Sequence, residues 1–248
     1  MNILDTIVAH KKKEVEQAKA NRTQKDLELS DFYNRETYSL SSFIKDQNRT
    51  GIIAEFKRKS PSKGMINAHS DVIDVTTAYS NGGASCLSVL TDNQFFGGAE
   101  LDLKNARINN IPILRKDFIV DEYQILESKA IGADVILLIA ACLSKSETKK
   151  LSYLAYSLGL SILLELHDEE ELDHVNEYTN IIGINNRNLK TFDVDIDKSI
   201  KMAEQLGADM IKVAESGISK PEDVVLFKKY GFDGFLIGEN FMKHDDPG

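Results

Sequence analysis

Several short apolar runs in this chain end in residues that can bind anions or move protons. Ile52 to Lys57 carries Glu55 and Lys57, and the run near 111–116 ends in Arg115-Lys116-Asp117. The run at 161–166 ends in Glu165, with His167 just beyond it. The run at 180–185 leads through Asn185 to Arg187, and the one at 210–215 ends in Glu215-Ser216-Gly217. Alternate side chains of a strand share a face. Ile53, Glu55 and Lys57 therefore point one way, and Ile52, Ala54 and Phe56 the other. Leu114 and Lys116 share a face in the same manner, as do Leu163, Glu165 and His167, and Gly183, Asn185 and Arg187. Unpaired buried charge is costly, so charge at the end of a core strand needs a use. Lysines and glutamates converging from separate strands suit general acid–base chemistry.

Each residue also has a plainer reading. Glu55 with Lys57 could be a solvated pair, and Lys116 with Asp117 a surface ion pair contributing little. Glu165 could be an inward acid neutralised by a lysine. Coincidence on five strands outweighs these readings for the set. His167 is expected on the rim or in a supporting position rather than as a base. His10, His69, His174 and His244 have no supporting context, and Lys11-Lys12-Lys13 reads as a solvated helix face. Phe95-Phe96-Gly97-Gly98 is either loop packing or an apolar wall for an aromatic substrate. Glu215 to Ile218, Gly238-Glu239-Asn240 and Ser60 to Gly64 are small or hydroxyl-bearing loops of the kind that bind phosphate through backbone N–H groups.

The elements that must position these residues follow a repeat of helix, small turn and apolar strand. Gly82-Gly83-Ala84-Ser85, Ile131-Gly132-Ala133-Asp134, Leu206-Gly207-Ala208-Asp209 and Tyr230-Gly231-Phe232-Asp233 each precede a strand. Glycine there suits a helix end. Eight strands are expected near 52–57, 85–90, 111–116, 134–139, 161–166, 180–185, 210–215 and 233–237, with room for a helix between each pair. Residues 169–178 show helical spacing through Leu172, Val175 and Tyr178, and Pro221-Glu222-Asp223 opens another helix. The fold class is α/β: a single (β/α)8 TIM barrel with an N-terminal helical extension, favoured over a doubly wound sheet. One domain spans 1–248. Residues 1–45 form the extension, with an amphipathic helix at 3–20 capping either the bottom or the mouth. The eighth helix reads as absent or truncated. In such barrels the carboxyl ends of the strands carry the site, where every polar tip above falls.

Composition narrows the classes. The 248 residues are 42% apolar with a net charge of −9, which fits a globular protein and argues against a nucleic-acid footprint. Cys86 and Cys142 sit in apolar runs and read as buried free thiols in a reducing compartment. No cysteine–histidine cluster has metal spacing. Met1 to Lys13 lacks a secretory apolar segment, and Val135 to Leu143 is too short to cross a bilayer. The expectation is a cytoplasmic protein without membrane or nucleic-acid partners.

Six segments together resemble the indole-3-glycerol-phosphate synthase family. They are Ile53 to Gly64, Ser88 to Asp92 with Phe96-Gly97-Gly98, Pro112 to Val120, Glu165 with its following acidic helix, Gly183 to Leu189, and Val213 to Ile218. The resemblance runs from about residue 3 to 246. It implies closure of 1-(2-carboxyphenylamino)-1-deoxyribulose 5-phosphate to indole-3-glycerol phosphate, with loss of CO2 and water, in tryptophan biosynthesis. It implies no metal and no organic cofactor, and a monomer with at most weak self-association. By resemblance Lys116 is the acid on the ribulose carbonyl, and Glu165 serves the later proton transfers. Lys57 meets the anthranilate carboxylate and is a second possible donor, and Glu55 orients the lysines. Asn185, Glu215 and Ser216 complete the catalytic set. Lys59, Ser60, Arg187, Gly217, Gly238 and Glu239 are assigned to substrate and phosphate, and Phe96, Phe118 and Leu137 to the wall around the ring. Glu239 stands where some members have serine, so only its backbone N–H is expected to help.

The chemistry itself calls for a proton at the ketone oxygen as an aromatic carbon attacks, which a lysine whose pKa is lowered by neighbouring cations can supply. Two alternatives stand beside the synthase: another phosphosugar barrel enzyme such as phosphoribosylanthranilate isomerase, and a phosphate-binding barrel without activity.

Overall fold

The computed structural model describes residues 3–187 and 194–248; Asn188 and Leu189 of the family-like segment lie outside them. Among the described residues, eight parallel strands close into a barrel: β1 (Ile52–Phe56), β2 (Cys86–Leu90), β3 (Ile113–Lys116), β4 (Val135–Ile139), β5 (Ser161–Leu166), β6 (Ile181–Asn185), β7 (Ile211–Glu215) and β8 (Gly234–Ile237). Each strand pairs with the next, and β8 pairs back onto β1 with Ile52 opposite Phe235 and Ala54 opposite Ile237. Alternation splits the core in two. Ile53, Leu114, Val135, Leu137, Leu163, Ile181, Ile211 and Val213 pack inside the barrel. Ile136, Leu138, Leu164, Leu166, Ile182 and Ile184 face the helices.

The intervening helices begin where short polar side chains satisfy the first free N–H groups. Asp71 accepts from the N–H of Ile73 and Asp74 before Val72–Asn81. Ser144 and Glu147 form a reciprocal cap before Lys145–Ser157. One expected helix comes out differently. Glu169–His174 is a 3-10 helix of six residues, and Val175 is already extended. The three-residue spacing of Leu172, Val175 and Tyr178 is the period of that tighter helix, not of an α-helix. After β8 comes only the single turn Glu239–Met242, whose Met242 is buried against Tyr79. Closure itself rests on the β8–β1 hydrogen bonds.

The N-terminal extension serves both ends of the barrel. Its helix α1 (Ile3–Asn21) lies at the mouth, where Ile3, Leu4 and Ile7 line the central cavity. After α2 (Gln24–Glu28), helix α3 (Leu40–Lys45) closes the bottom: Leu40 and Ile44 are buried against Ile53, Cys86, Val135, Ile181 and Ile211.

Asp134, fully buried just before β4, fastens the extension to the barrel. Its Oδ1 accepts from Arg35 at 2.5 Å and from the Tyr38 N–H at 2.8 Å, while Oδ2 accepts from Arg107 and from the Ile113 N–H at 2.9 Å. Removing one partner of a buried ion pair typically costs about 3–5 kcal/mol, because the remaining charge stays uncompensated. Asp134→Ala should therefore lose a stability of about that size in urea denaturation. A loss below about 1 kcal/mol would show that Asp134 is not such a fastener.

Candidate active site

The strand tips converge on a cavity of about 250 Å3 at the carboxyl end of the barrel. At its floor the Lys116 ammonium, from the end of β3, lies 3.0 Å from Glu165 Oε2 and 3.0 Å from Glu215 Oε2. These carboxylates come from β5 and β7, across the barrel. Glu165 Oε1 accepts from Asn185 Nδ2 at 2.8 Å, and His167 Nε2 lies 3.1 Å from the same oxygen. Glu55 is buried on β1; its Oε1 accepts from Lys57 Nζ at 2.6 Å and its Oε2 from Ser88 at 3.5 Å. Two glycines make the crowding possible. A Cβ at Gly183 would lie 2.2 Å from Glu215 Oε1, and one at Gly238 would lie 2.4 Å from Glu55 Oε1. The carboxylates can occupy their places only because these two positions carry no side chain.

The electrostatics of this cluster overturn one expectation. Burial alone would lower the pKa of Lys116, but Glu165, Glu215 and Glu55 outweigh burial and raise it above the ordinary lysine value. The ammonium sits among anions, not cations, and is held protonated. Burial would raise Glu165, yet Lys116, His167 and Asn185 together hold it well below the usual carboxylate range. Burial pushes Glu215 up to about 7, against the pull of Lys116 and with the help of Glu165 and Glu55. Its Oε1 is buried with no hydrogen-bond partner among the described residues. The two acids in contact with the Lys116 ammonium thus divide into a firm anion and a proton carrier.

Most residues singled out in the sequence line this cavity: Glu55, Lys57, Lys116, Glu165, Asn185, Glu215 and Ser216, with Ser60, Arg187, Gly217, Gly238 and Glu239 along one side. Phe96, Phe118 and Leu137 form an apolar wall, the two rings 6.0 Å apart. Lys59 is not brought to it. It sits in a two-residue hairpin strand paired with Gly64–Met65, and its ammonium donates to the Gln94 carbonyl at 2.7 Å. The Glu239 carboxylate lies 3.6 Å from Arg187 and 3.7 Å from Lys63, so its charge is partly matched. Ser216 and Gly217 both take positive φ, 66° and 73°, turning the chain sharply after β7. Among the described residues no group of three or more His, Cys, Asp or Glu side chains could hold a metal ion.

The amphipathic helix expected over the bottom or the mouth forms the roof, with Ile3, Leu4 and Ile7 lining the cavity. Other contributions went unread in the sequence. Asp117 pairs not with Lys116 but with Lys11, 2.9 Å away. Lys11 is buried, not part of a solvated face; Lys12 and Lys13 are exposed as expected. His10, without context in the sequence, meets the ring of Phe95 edge-on at 5.6 Å.

Comparison with known proteins bears on the whole chain. The family model described as Indole-3-glycerol phosphate synthase matches residues 4–248. The chain is 45% identical over 248 residues to an indole-3-glycerol phosphate synthase of Bacteroides thetaiotaomicron, covering 100% of this chain and 95% of that protein. It is 43% identical over 257 residues to one of a Polaromonas species, with 100% and 96% covered. Among solved structures, tryptophan synthase subunit alpha from Legionella pneumophila superposes with a TM-score of 0.60 at 13% identity, covering 82% of this chain and 87% of that one. That likeness is one of fold.

His167 offers a direct check on the electrostatics. Burial would lower its pKa, but the carboxylates of Glu165, 3.1 Å from Nε2, and Glu171, 3.8 Å from Nδ1, outweigh this and push it up to about 10. A raised histidine stabilises the fold fully below its unfolded value near 6.5 and loses that contribution as pH rises through about 10. Ring-nitrogen NMR shifts should report imidazolium at pH 8, and the stability gap to His167→Asn should shrink between pH 7 and 10. Titration of the ring near 6.5 would refute the assignment.

Proposed function

The chain belongs to the indole-3-glycerol phosphate synthase family, and from that membership we propose how its own residues divide the work. The reaction is a carboxy-lyase step of tryptophan biosynthesis: 1-(2-carboxyphenylamino)-1-deoxyribulose 5-phosphate closes to indole-3-glycerol phosphate, releasing CO2 and water. The observation that carries the assignment of roles is the Lys116 ammonium set 3.0 Å from both Glu165 and Glu215 at the cavity floor.

The anthranilate ring lies against Phe96, Phe118 and Leu137, and its carboxylate meets Lys57, which Glu55 holds in place. The ring carbon bearing the carboxylate attacks the ketone carbon. As that bond forms, Lys116 protonates the ketone oxygen, which becomes a hydroxyl. The carboxylate then leaves as CO2, and its bonding electrons restore the aromatic ring. Finally the hydroxyl leaves as water with a proton from Glu215, while Glu165, firmly ionised, takes a proton from the adjacent methylene carbon as the new ring double bond forms, and the ring nitrogen keeps its hydrogen. Lys116 needs no lowered pKa for its part: a lysine held protonated at the cavity floor is already the acid the first step requires. Asn185 fixes the orientation of Glu165.

Ser60, the backbone N–H groups at Gly217 and Gly238, and Arg187 receive the phosphate. The Glu239 carboxylate contributes its pairing with Arg187 and Lys63 rather than a contact to the anion. Lys59 can join them only by leaving the Gln94 carbonyl. The free thiols Cys86 and Cys142 support a cytoplasmic setting, and no helix among the described residues is long and apolar enough to cross a membrane. The enzyme acts as a monomer, its extension and barrel forming one domain.

Indole fluorescence should appear when the carboxyphenylamino-ribulose phosphate is added to the protein; a folded, full-length sample that gives none would sink the reading. Lys116→Met should retain the fold and lose at least about 1000-fold in kcat, the upper range for removing a general acid together with a charge. Glu215 is protonated below pH about 7 and ionised above it, so kcat should fall as pH rises through 7. Glu215→Gln should be slow and lack that limb. A limb unchanged in the variant would remove Glu215 from the role of acid.

A further inference from the structure

We propose that Lys11 is a positioning residue for the ring-binding side of the cavity: one buried ammonium fastens the roof helix and both loops of the aromatic wall. The proposal rests on the reading that the substrate's aromatic ring lies against Phe96 and Phe118. Lys11 is 1% exposed. It lies on the buried stripe of α1, four residues from Ile7 and four from Val15, both also buried. Its Nζ lies 3.1 Å from Asp92 Oδ2 and 2.9 Å from Asp117 Oδ1, with the half-exposed Glu14 at 2.8 Å.

Those two aspartates are the starts of the wall loops. Asp92, after β2, is fully buried; its Oδ1 accepts from the N–H of Phe95 at 2.7 Å and of Phe96 at 3.3 Å, so it caps the turn that presents Phe96. Asp117 follows Lys116 directly, and its Oδ1 accepts from the N–H of Phe118 at 2.8 Å. Asp117 Oδ2 is held from behind by Thr91 and by Arg115, itself paired with Glu127 at 2.7 Å. Asp92 has no such second cation: Lys11 is the only one within ion-pair distance of it among the described residues. Ile7, one turn N-terminal to Lys11, lines the cavity. The ammonium therefore fixes three things relative to one another: the roof, the Phe96 turn and the Phe118 turn. Nothing in the chemistry uses it, and it does not line the cavity.

A group that acts by holding binding surfaces together should change KM more than kcat. Lys11→Met keeps the length and apolar stem and removes the charge. We expect KM for the carboxyphenylamino-ribulose phosphate to rise about 10-fold or more, with kcat within about 3-fold of the parent, and Lys11→Arg to return KM to within about 3-fold. An unchanged KM in a folded Lys11→Met, or a loss confined to kcat, would overturn the proposal. Should Lys11→Met fail to fold, Asp92→Asn decides: its Oδ1 can still cap Phe95 and Phe96, so a raised KM supports the ammonium's role and a parental KM overturns it. Absence of turnover in the parent protein would instead refute the ring-closing reading on which the proposal rests.

Discussion

A closed barrel brings its strand tips within a few ångströms of each other, and here that closure forces Glu165 and Glu215 onto one ammonium. Two buried carboxylates repel strongly where the dielectric is low, and Lys116 between them makes the arrangement tolerable. Everything else in the site adjusts to that triad. Asn185 and His167 stabilise the firmer anion, Gly183 leaves room for the weaker one, and Glu55 with Lys57 forms a second pair beside it. The uneven support of the two acids sets their different proton affinities. Glu165 has an amide, an imidazolium and an ammonium around it; Glu215 has one bare oxygen and two negative neighbours.

Strand alternation made much of this readable in advance. Ile53 below Glu55, Leu163 below Glu165 and Val213 below Glu215 are period-two patterns that survive folding because a one-residue slip would turn the whole set outward. Positions near the carboxyl end of each run then follow from the barrel. The sign of the Lys116 shift was not readable in the same way. It depends on which charges face the lysine across the barrel, and chain order does not reveal distances. Gly238 shows a related limit. Its place in a small loop suggests close approach of a phosphate, yet the atom that most closely forbids a side chain there is Glu55 Oε1, 183 residues earlier in the chain.

Lys11 illustrates a different failure. Three consecutive lysines look like a charged face, but consecutive residues on a helix point about 100° apart, so no single reading fits all three. The phase of Ile7 and Val15 places the first on the buried stripe. Its neighbours Lys12 and Lys13 fall outside, where solvated charge is ordinary. A buried lysine requires carboxylates, and Asp92 and Asp117 lie about 80 and 100 residues along the chain. Partner identity at such separations is a property of topology, not of local pattern.

The two-ended grip of the extension has a consequence for how the molecule assembles. Leu40 donates its backbone N–H to Ser161, Arg35 reaches Asp134, and Lys11 reaches Asp117. Each contact spans roughly a hundred residues, so the extension, which precedes the strands it grips, has no surface to dock on until the middle strands exist. Closing such long loops is slow relative to forming local βα units. The first 45 residues should thus be among the last to settle, sealing floor and roof over a barrel whose eight strands have already met.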